Sequence, residues 1–448
     1  LCGMSERLSE TTMNLRKIAL LIFAGAAGAG CGGGGDAPLP AERKFAASAS
    51  TPGLDAVADE VVVKLHRSSD LEALLGAYPL TLVGQFGQRP IYRLRIAVGA
   101  GEPVSLAQQL AADARVKYAE PNFLDQTPES RRAHVWAVGG DSGQYATQWN
   151  AQALRLSQAH AVSTGAGVKV AVLDSGVDAS HPALAGRIVA GFDFVDFDPV
   201  AAEEGTVGDA GYGHGTHVAS LVAQVAPQAA IMPVRVLDRS GIGNIWVLAE
   251  GLLHAVDPDR DPATNDGVGV INISLGTLRP TNLLRDIVRV VTCEDDDNDD
   301  DADADSTRCR NFRGAVVVSA AGNSGDQTRH YPAAEHVPGA IAVAASSQAG
   351  TLASFSTRGD WVKVAAPGEL VIGALPGGGW GVWSGTSMAA PMVAGAAALL
   401  RAADPGWKPS DVTGKLQSDG RALCLTGLKQ IDPAKTLTGV SGVDIACP

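Results

Sequence analysis

The stretch VAVLDSGVD, residues 170–178, decides how the rest of the chain is read. An apolar run (168–173) meets Asp174 and then the turn-forming pair Ser175-Gly176. A continuous apolar run closed by a turn reads as a strand buried on both faces. The same pattern returns at 231–237, 270–273, 315–319 and 340–344, with helical stretches at 217–225 and 245–256 between. Strands alternating with helices predict an α/β fold, a parallel sheet with helices on both faces. Ligands of such sheets bind beyond the carboxyl ends of the strands, so residues following the strands carry the functional weight.

Composition agrees with a globular chain. Of 448 residues, 46% are hydrophobic and 19% charged, and the net charge is −13. Nine of the acidic residues fall within 294–305, so the remainder carries −13 + 9 = −4. A near-neutral body without a Lys/Arg cluster excludes nucleic acid as the main partner. No run of roughly 20 consecutive apolar residues, the length that spans a bilayer, is present.

Residues 1–31 read as a signal region: Arg16 and Lys17 precede an apolar run that ends in small residues, and Met13 is read as the start. Cys31 follows Gly28-Ala29-Gly30 and resembles a bacterial lipidation site, although Gly28 stands where a bulky apolar residue is usual. Lipid anchoring at Cys31 and plain secretion both stay open; either exports the protein. A flexible linker (32–58) follows, then 59–126 with strands at 60–65, 80–86, 91–97 and 116–119 and helices at 70–78 and 105–114. The order βαββαβ predicts a small ferredoxin-like domain. Periodicity vanishes over 127–147, which reads as a linker, and 148–448 forms the main domain.

Three motifs sit at strand ends or helix starts. Asp174 ends the first strand, His214 lies in GHGTHVAS (213–220), and Ser387 lies in GTSMAAPMVAG (385–395). Alone, each has a plain structural reading: a turn Asp, a packed His, a helix-capping Ser. Together they supply nucleophilic acyl transfer, with Ser387 as nucleophile, His214 as its base and Asp174 orienting the imidazole. Asn323, in SAAGNSG (319–325), adds an amide that with the Ser387 N–H would receive the charge of a tetrahedral intermediate. His217 makes a metal pair with His214 conceivable, but no third ligand stands at metal-site spacing.

These four motifs, in this order, resemble the subtilisin-family (subtilase) serine proteases over about residues 148–403. VRVLDRSGIGNI (234–245), INISLG (271–276), YPA (331–333) and FSTRGDWVKVAAPG (355–368) extend the likeness. The resemblance implies a serine endopeptidase that needs no catalytic cofactor, works as a monomer on protein or peptide substrates, and carries its own inhibitory propeptide at 59–126, ending in YAEPNF. It implies that a substrate strand lies between Gly241, Ile242 and Gly243 on one side and Ser274, Leu275 and Gly276 on the other. Ile245, Leu248 and Leu275 would line an apolar distal pocket, and His330 would stand near the floor of the primary one. Self-cleavage is expected between Asp125 and Gln148. A catalytically silent peptide-binding protein on the same fold is the alternative, and an esterase is disfavoured because the G-x-S-x-G elbow is missing.

Apart from Cys2 and Cys31, four cysteines form two sequence-local couples, read as the disulfides Cys293–Cys309 and Cys424–Cys447. The first would close CEDDDNDDDADADSTRC, where Asp297, Asp299, Asp301, Asp303 and Asp305 alternate. Crowded like charge there predicts a weak structural Ca²⁺ site.

Overall fold

The structure, a computed structural model, describes residues 55–129, 136–261, 264–294, 309, 312–443, 445 and 447. The expected signal region, Cys31 and most of the acidic segment after Glu294 lie outside the described residues.

The first body is β1 (Ala56–Leu65), α1 (Leu71–Ala77), β2 (Leu80–Gln85), β3 (Ile91–Ile96), α2 (Pro103–Ala111) and β4 (Val116–Gln126). Its strands pair antiparallel in the order β2-β3-β1-β4. Val61, Val63 and Leu65 of β1 alternate onto one face and meet Leu74, Leu106 and Leu110 of the two helices in a separate apolar core. This is the expected ferredoxin-like arrangement.

The second body is built on β5 (Lys169–Asp174), α3 (His214–Val225), β6 (Ala230–Arg235), β7 (Ile242–Asn244), α4 (Ile245–Val256), β8 (Val270–Ile273), α5 (Asn282–Thr292), β9 (Val316–Ala320), β10 (Ala340–Ser346), β11 (Val364–Pro367) and α6 (Thr386–Ala403). Six strands pair in parallel in the order β11-β10-β9-β8-β5-β6, with short strands extending both edges. Strand periodicity divides the apolar residues between two layers. Val170 and Val172 pack with α3 and α6 on one face. Ala171 and Leu173 pack with α4 and α5 on the other. Glycine lets the first layer close up: a Cβ at Gly395 of α6 would lie 2.6 Å from Val225 Cβ of α3. The disulfides Cys293–Cys309 and Cys424–Cys447 are both formed.

The first body's sheet leans on α4 and α5. Phe86 meets Trp246 edge-on at 4.8 Å, and the Arg93 guanidinium lies 5.8 Å from the centre of the same indole. The unpaired first amides of both helices are met by side chains of β4. Glu120 accepts from Asn282 N at 2.8 Å and Leu283 N at 3.0 Å, and Asn122 Oδ1 accepts from Trp246 N at 3.3 Å. The sequence suggests a strand ending at Ala119; β4 instead continues to Gln126, because its second half finds partners in the other body.

Candidate active site

Asp174 is the last residue of β5 and His214 the first of α3. Gly215 lets the two elements touch, since a Cβ there would collide with Gly176 O and lie 3.1 Å from Asp174 Cβ. His214 Nδ1 stands 2.7 Å from Asp174 Oδ1, which also accepts from Ser175 N at 2.8 Å. Ser387 is the second residue of α6, and Asn323 follows β9. Asn323 Oδ1 accepts from both Thr386 N and Thr386 Oγ1 at 2.9 Å, which turns Nδ2 outward. Asp174, His214, Ser387 and Asn323 are all 2% exposed or less.

A carboxylate that the sequence did not single out joins three of them. Glu129 Oε2 accepts from Ser387 Oγ at 2.7 Å and lies 3.3 Å from His214 Nε2. Glu129 Oε1 accepts from Asn323 Nδ2 at 2.8 Å. Gly385 leaves the space for it; any Cβ there would collide with Glu129 Oε1. Burial alone would raise the Glu129 carboxyl, but His214, Ser387 and Asn323 hold it below its ordinary value. Burial likewise opposes charge on His214, yet Asp174 and Glu129 outweigh it and push the imidazole up to about 10. The site therefore holds an anion between an imidazolium, a hydroxyl and an amide.

Glu129 arrives on a strand. Leu124, Asp125 and Gln126 pair antiparallel with Asn244, Gly243 and Ile242 of β7. Gln126 exchanges two hydrogen bonds with Gly276, each 3.0 Å, and Thr127 N reaches Gly241 O at 3.4 Å. The tail thus lies between Gly241, Ile242 and Gly243 and the segment Ser274, Leu275 and Gly276. Ser274 O also accepts from Ser387 Oγ at 3.2 Å. Ile245, Leu248 and Leu275 are buried in one apolar cluster, against which Phe123 packs.

His330 packs its ring over Gly322, next in sequence to Asn323. His217 lies parallel to Trp383 at 4.7 Å with Nε2 3.2 Å from Gly381 O; burial pushes its imidazole down to about 3. A neutral, stacked His217 is a packing residue. Among the described residues no three His, Cys, Asp or Glu side chains gather as a metal site.

A second unforeseen carboxylate, Glu203, lies behind the Asp174–His214 pair, bonded to Ser175 and Thr216. Neither glutamate has a sequence signal: Glu129 and the pair Glu203-Glu204 both fall in aperiodic stretches.

Comparison with known proteins gives the lineage. Residues 165–426 match the model of the Subtilase family, and residues 43–122 match that of the Fervidolysin N-terminal prodomain. Thermitase of Thermoactinomyces vulgaris is 36% identical over 290 residues, 62% of this chain and 90% of that protein. Subtilisin E of Bacillus subtilis (strain 168) is 36% identical over 324 residues, 69% of this chain and 72% of that protein. The crystal structure of fervidolysin from Fervidobacterium pennivorans, a keratinolytic enzyme related to subtilisin, superposes with TM-score 0.67 at 23% identity, covering 87% of this chain and 62% of that one. The chain, with its N-terminal prodomain, belongs to the subtilase family of serine endopeptidases.

Proposed function

We propose that the chain is an exported, self-processing protease precursor in which Asp174, His214 and Ser387 form the catalytic triad and Asn323 the oxyanion hole. The observation that carries this reading is the Glu129 carboxylate, an anion gripped by Ser387 Oγ, His214 Nε2 and Asn323 Nδ2. When a peptide carbonyl takes its place, Ser387 Oγ attacks the carbon, His214 Nε2 takes the proton, and Asp174 holds Nδ1–H and stabilises the imidazolium. Asn323 Nδ2 and the Ser387 N–H, free in the first turn of α6, receive the oxyanion. His214 then protonates the leaving amine, and water hydrolyses the acyl-enzyme.

The same geometry explains latency. With Glu129 in place His214 is held protonated and cannot act as base, and the tail fills the cleft as an extended substrate would. Phe123, just before the tail, packs on the cluster of Ile245, Leu248 and Leu275, which would serve as the apolar distal subsite, and His330 would help form the primary pocket. Cleavage in the 127–147 segment would free the cleft. Export by a lipid anchor at Cys31 or by plain secretion, and Ca²⁺ in the acidic 294–305 segment, belong to this reading; intact mass decides the first, and melting with calcium against chelator tests the second.

Expression of the full chain tests the core of it. The wild type should cut itself and then hydrolyse casein, while Ser387→Ala should accumulate uncut and inactive. Asn323→Ala should lose about 10²–10³ in kcat with KM little changed, the loss known for one oxyanion-hole donor of subtilisin. A Ser387→Ala protein that processes itself in a protease-deficient host would overturn the assignment.

A further inference from the structure

We propose that Glu203 is a positioning residue for the reaction, clamping the strand end that carries Asp174 to the first helical turn that carries His214. The proposal rests on the triad reading above.

Helix α3 starts without a side-chain cap, because its N-cap is Gly213. Its first amides must find acceptors elsewhere. Gly215 N donates to Ser175 Oγ at 3.0 Å, and Thr216 N donates to Glu203 Oε2 at 3.1 Å. The same Oε2 accepts from Thr216 Oγ1 at 2.8 Å, while Oε1 accepts from Ser175 Oγ at 2.7 Å. One oxygen therefore serves the helix of His214 and the other the residue after Asp174. Thr216 Oγ1 in turn accepts from Asp178 N at 2.9 Å, which closes the ring around the turn after β5. A negative group at a helix start is also favoured by the helix dipole.

The loop that brings Glu203 is itself held. Val177 N donates to Ala201 O at 3.0 Å, and Ala202 O packs against Gly176, where any Cβ would collide. The next residue, Glu204, accepts from Arg235 Nη2 at 2.7 Å, and Arg235 stands opposite Asp174 in the β5–β6 register. The charged group that acts on Glu203 is Asp174 on β5, while the adjoining Glu204 joins Asp193 and Asp196 around Arg235. Burial, helped by Asp174, pushes the Glu203 carboxyl up to about 7 against its hydrogen bonds. Among the described residues Glu203 bonds to neither Ser387 nor the tail; it acts through the position of the Asp174–His214 pair. Small displacements of such a pair cost rate rather than binding.

The test compares wild type, Glu203→Ala and Glu203→Gln as full chains allowed to mature, with kcat and KM for a peptide substrate measured from pH 5 to 10. Glu203→Ala should lose roughly 10–100-fold in kcat while KM stays within about threefold, a misplacement effect. Glu203→Gln keeps the size but, like the protonated acid, only one acceptor oxygen, so at pH 8 it should lose less kcat than Glu203→Ala without reaching wild type. Its acid limb should differ, however. Wild type gives up one acceptor as Glu203 takes a proton near 7, on top of the His214 step; the glutamine is already in that neutral state at pH 8, so only the His214 step remains in its profile. If Glu203→Ala fails to mature, Glu203→Gln alone decides through its pH profile. The proposal is overturned if both variants keep the wild-type kcat and acid limb. It is also overturned if both lose kcat, KM and melting temperature together, which would mark a purely structural residue. An inactive wild type, by contrast, would remove the triad reading itself.

Discussion

Asp174, His214, Ser387 and Asn323 were legible because each ends a strand or opens a helix beside glycine or small residues, where a parallel sheet presents its chemistry. Glu129 and Glu203 were not, because their roles come from tertiary closure and no spacing announces them. Glu129 yields a prediction with a sign. Against burial, the His214 value is raised to about 10 by Asp174 first and by Glu129 second, so the imidazolium that grips Glu129 is lost as pH rises through about 10. The Glu129 value is lowered from 4.5, so its share of the grip is present above 4.5 and lost as pH falls through the lowered value. The tail is therefore held across neutral pH and loosens toward 10. Glu129→Gln exchanges charge-assisted bonds for neutral ones, a loss of about 1.5 kcal/mol, or about tenfold in grip. A fluorophosphonate should label Ser387 of that full-length variant about tenfold faster than wild type at pH 7, with the gap closing toward pH 10. Equal labelling rates at pH 7 would show that the carboxylate contributes nothing to latency.

Among the elements, β4 departs most from its sequence pattern. Alternation marks it only as far as Ala119, yet it runs through Gln126 because Leu124, Asp125 and Gln126 pair with β7. A strand whose partners come from another body carries no periodic signature of its own sheet. The helix starts teach the same lesson, since the amides of α4 and α5 are met by Asn122 and Glu120 from outside the helices. Gln126→Pro tests the pairing. It removes the N–H that reaches Gly276 O at 3.0 Å and leaves the catalytic body untouched. The full-length variant should release its tail and mature faster, by about tenfold for one strand hydrogen bond and its neighbours. Once the tail has been cut away, kcat/KM should equal that of wild type. A matured variant that is slower on peptides would mean that the substitution disturbed the catalytic body and not only the tail.

Across the whole molecule, the two layers of core and the two-body order followed from the alternation of apolar strands with helices, and the cysteine couples gave the two bridges. What the second bridge stabilises depends on how its loop is docked. Cys424 and Cys447 are 23 residues apart, and the enclosed chain includes Ile431 and Asp432, both fully buried. Asp432 Oδ2 pairs with Arg155 at 3.0 Å and with Arg421 at 3.3 Å, which ties the C-terminal segment to the start of the catalytic body. A loop anchored through a buried carboxylate should come apart only with the body around it, so the cross-link constrains the globally unfolded chain. Closing a loop of this length is worth about 3 kcal/mol in the chain-entropy model. The double variant Cys424→Ala/Cys447→Ala, made on Ser387→Ala to prevent self-digestion, should melt roughly 3–5 °C lower by calorimetry. A single transition should persist. A shift under about 2 °C, or a separate low-temperature step, would mean that the segment leaves the body before the rest unfolds and that the Asp432 pairs do not hold it.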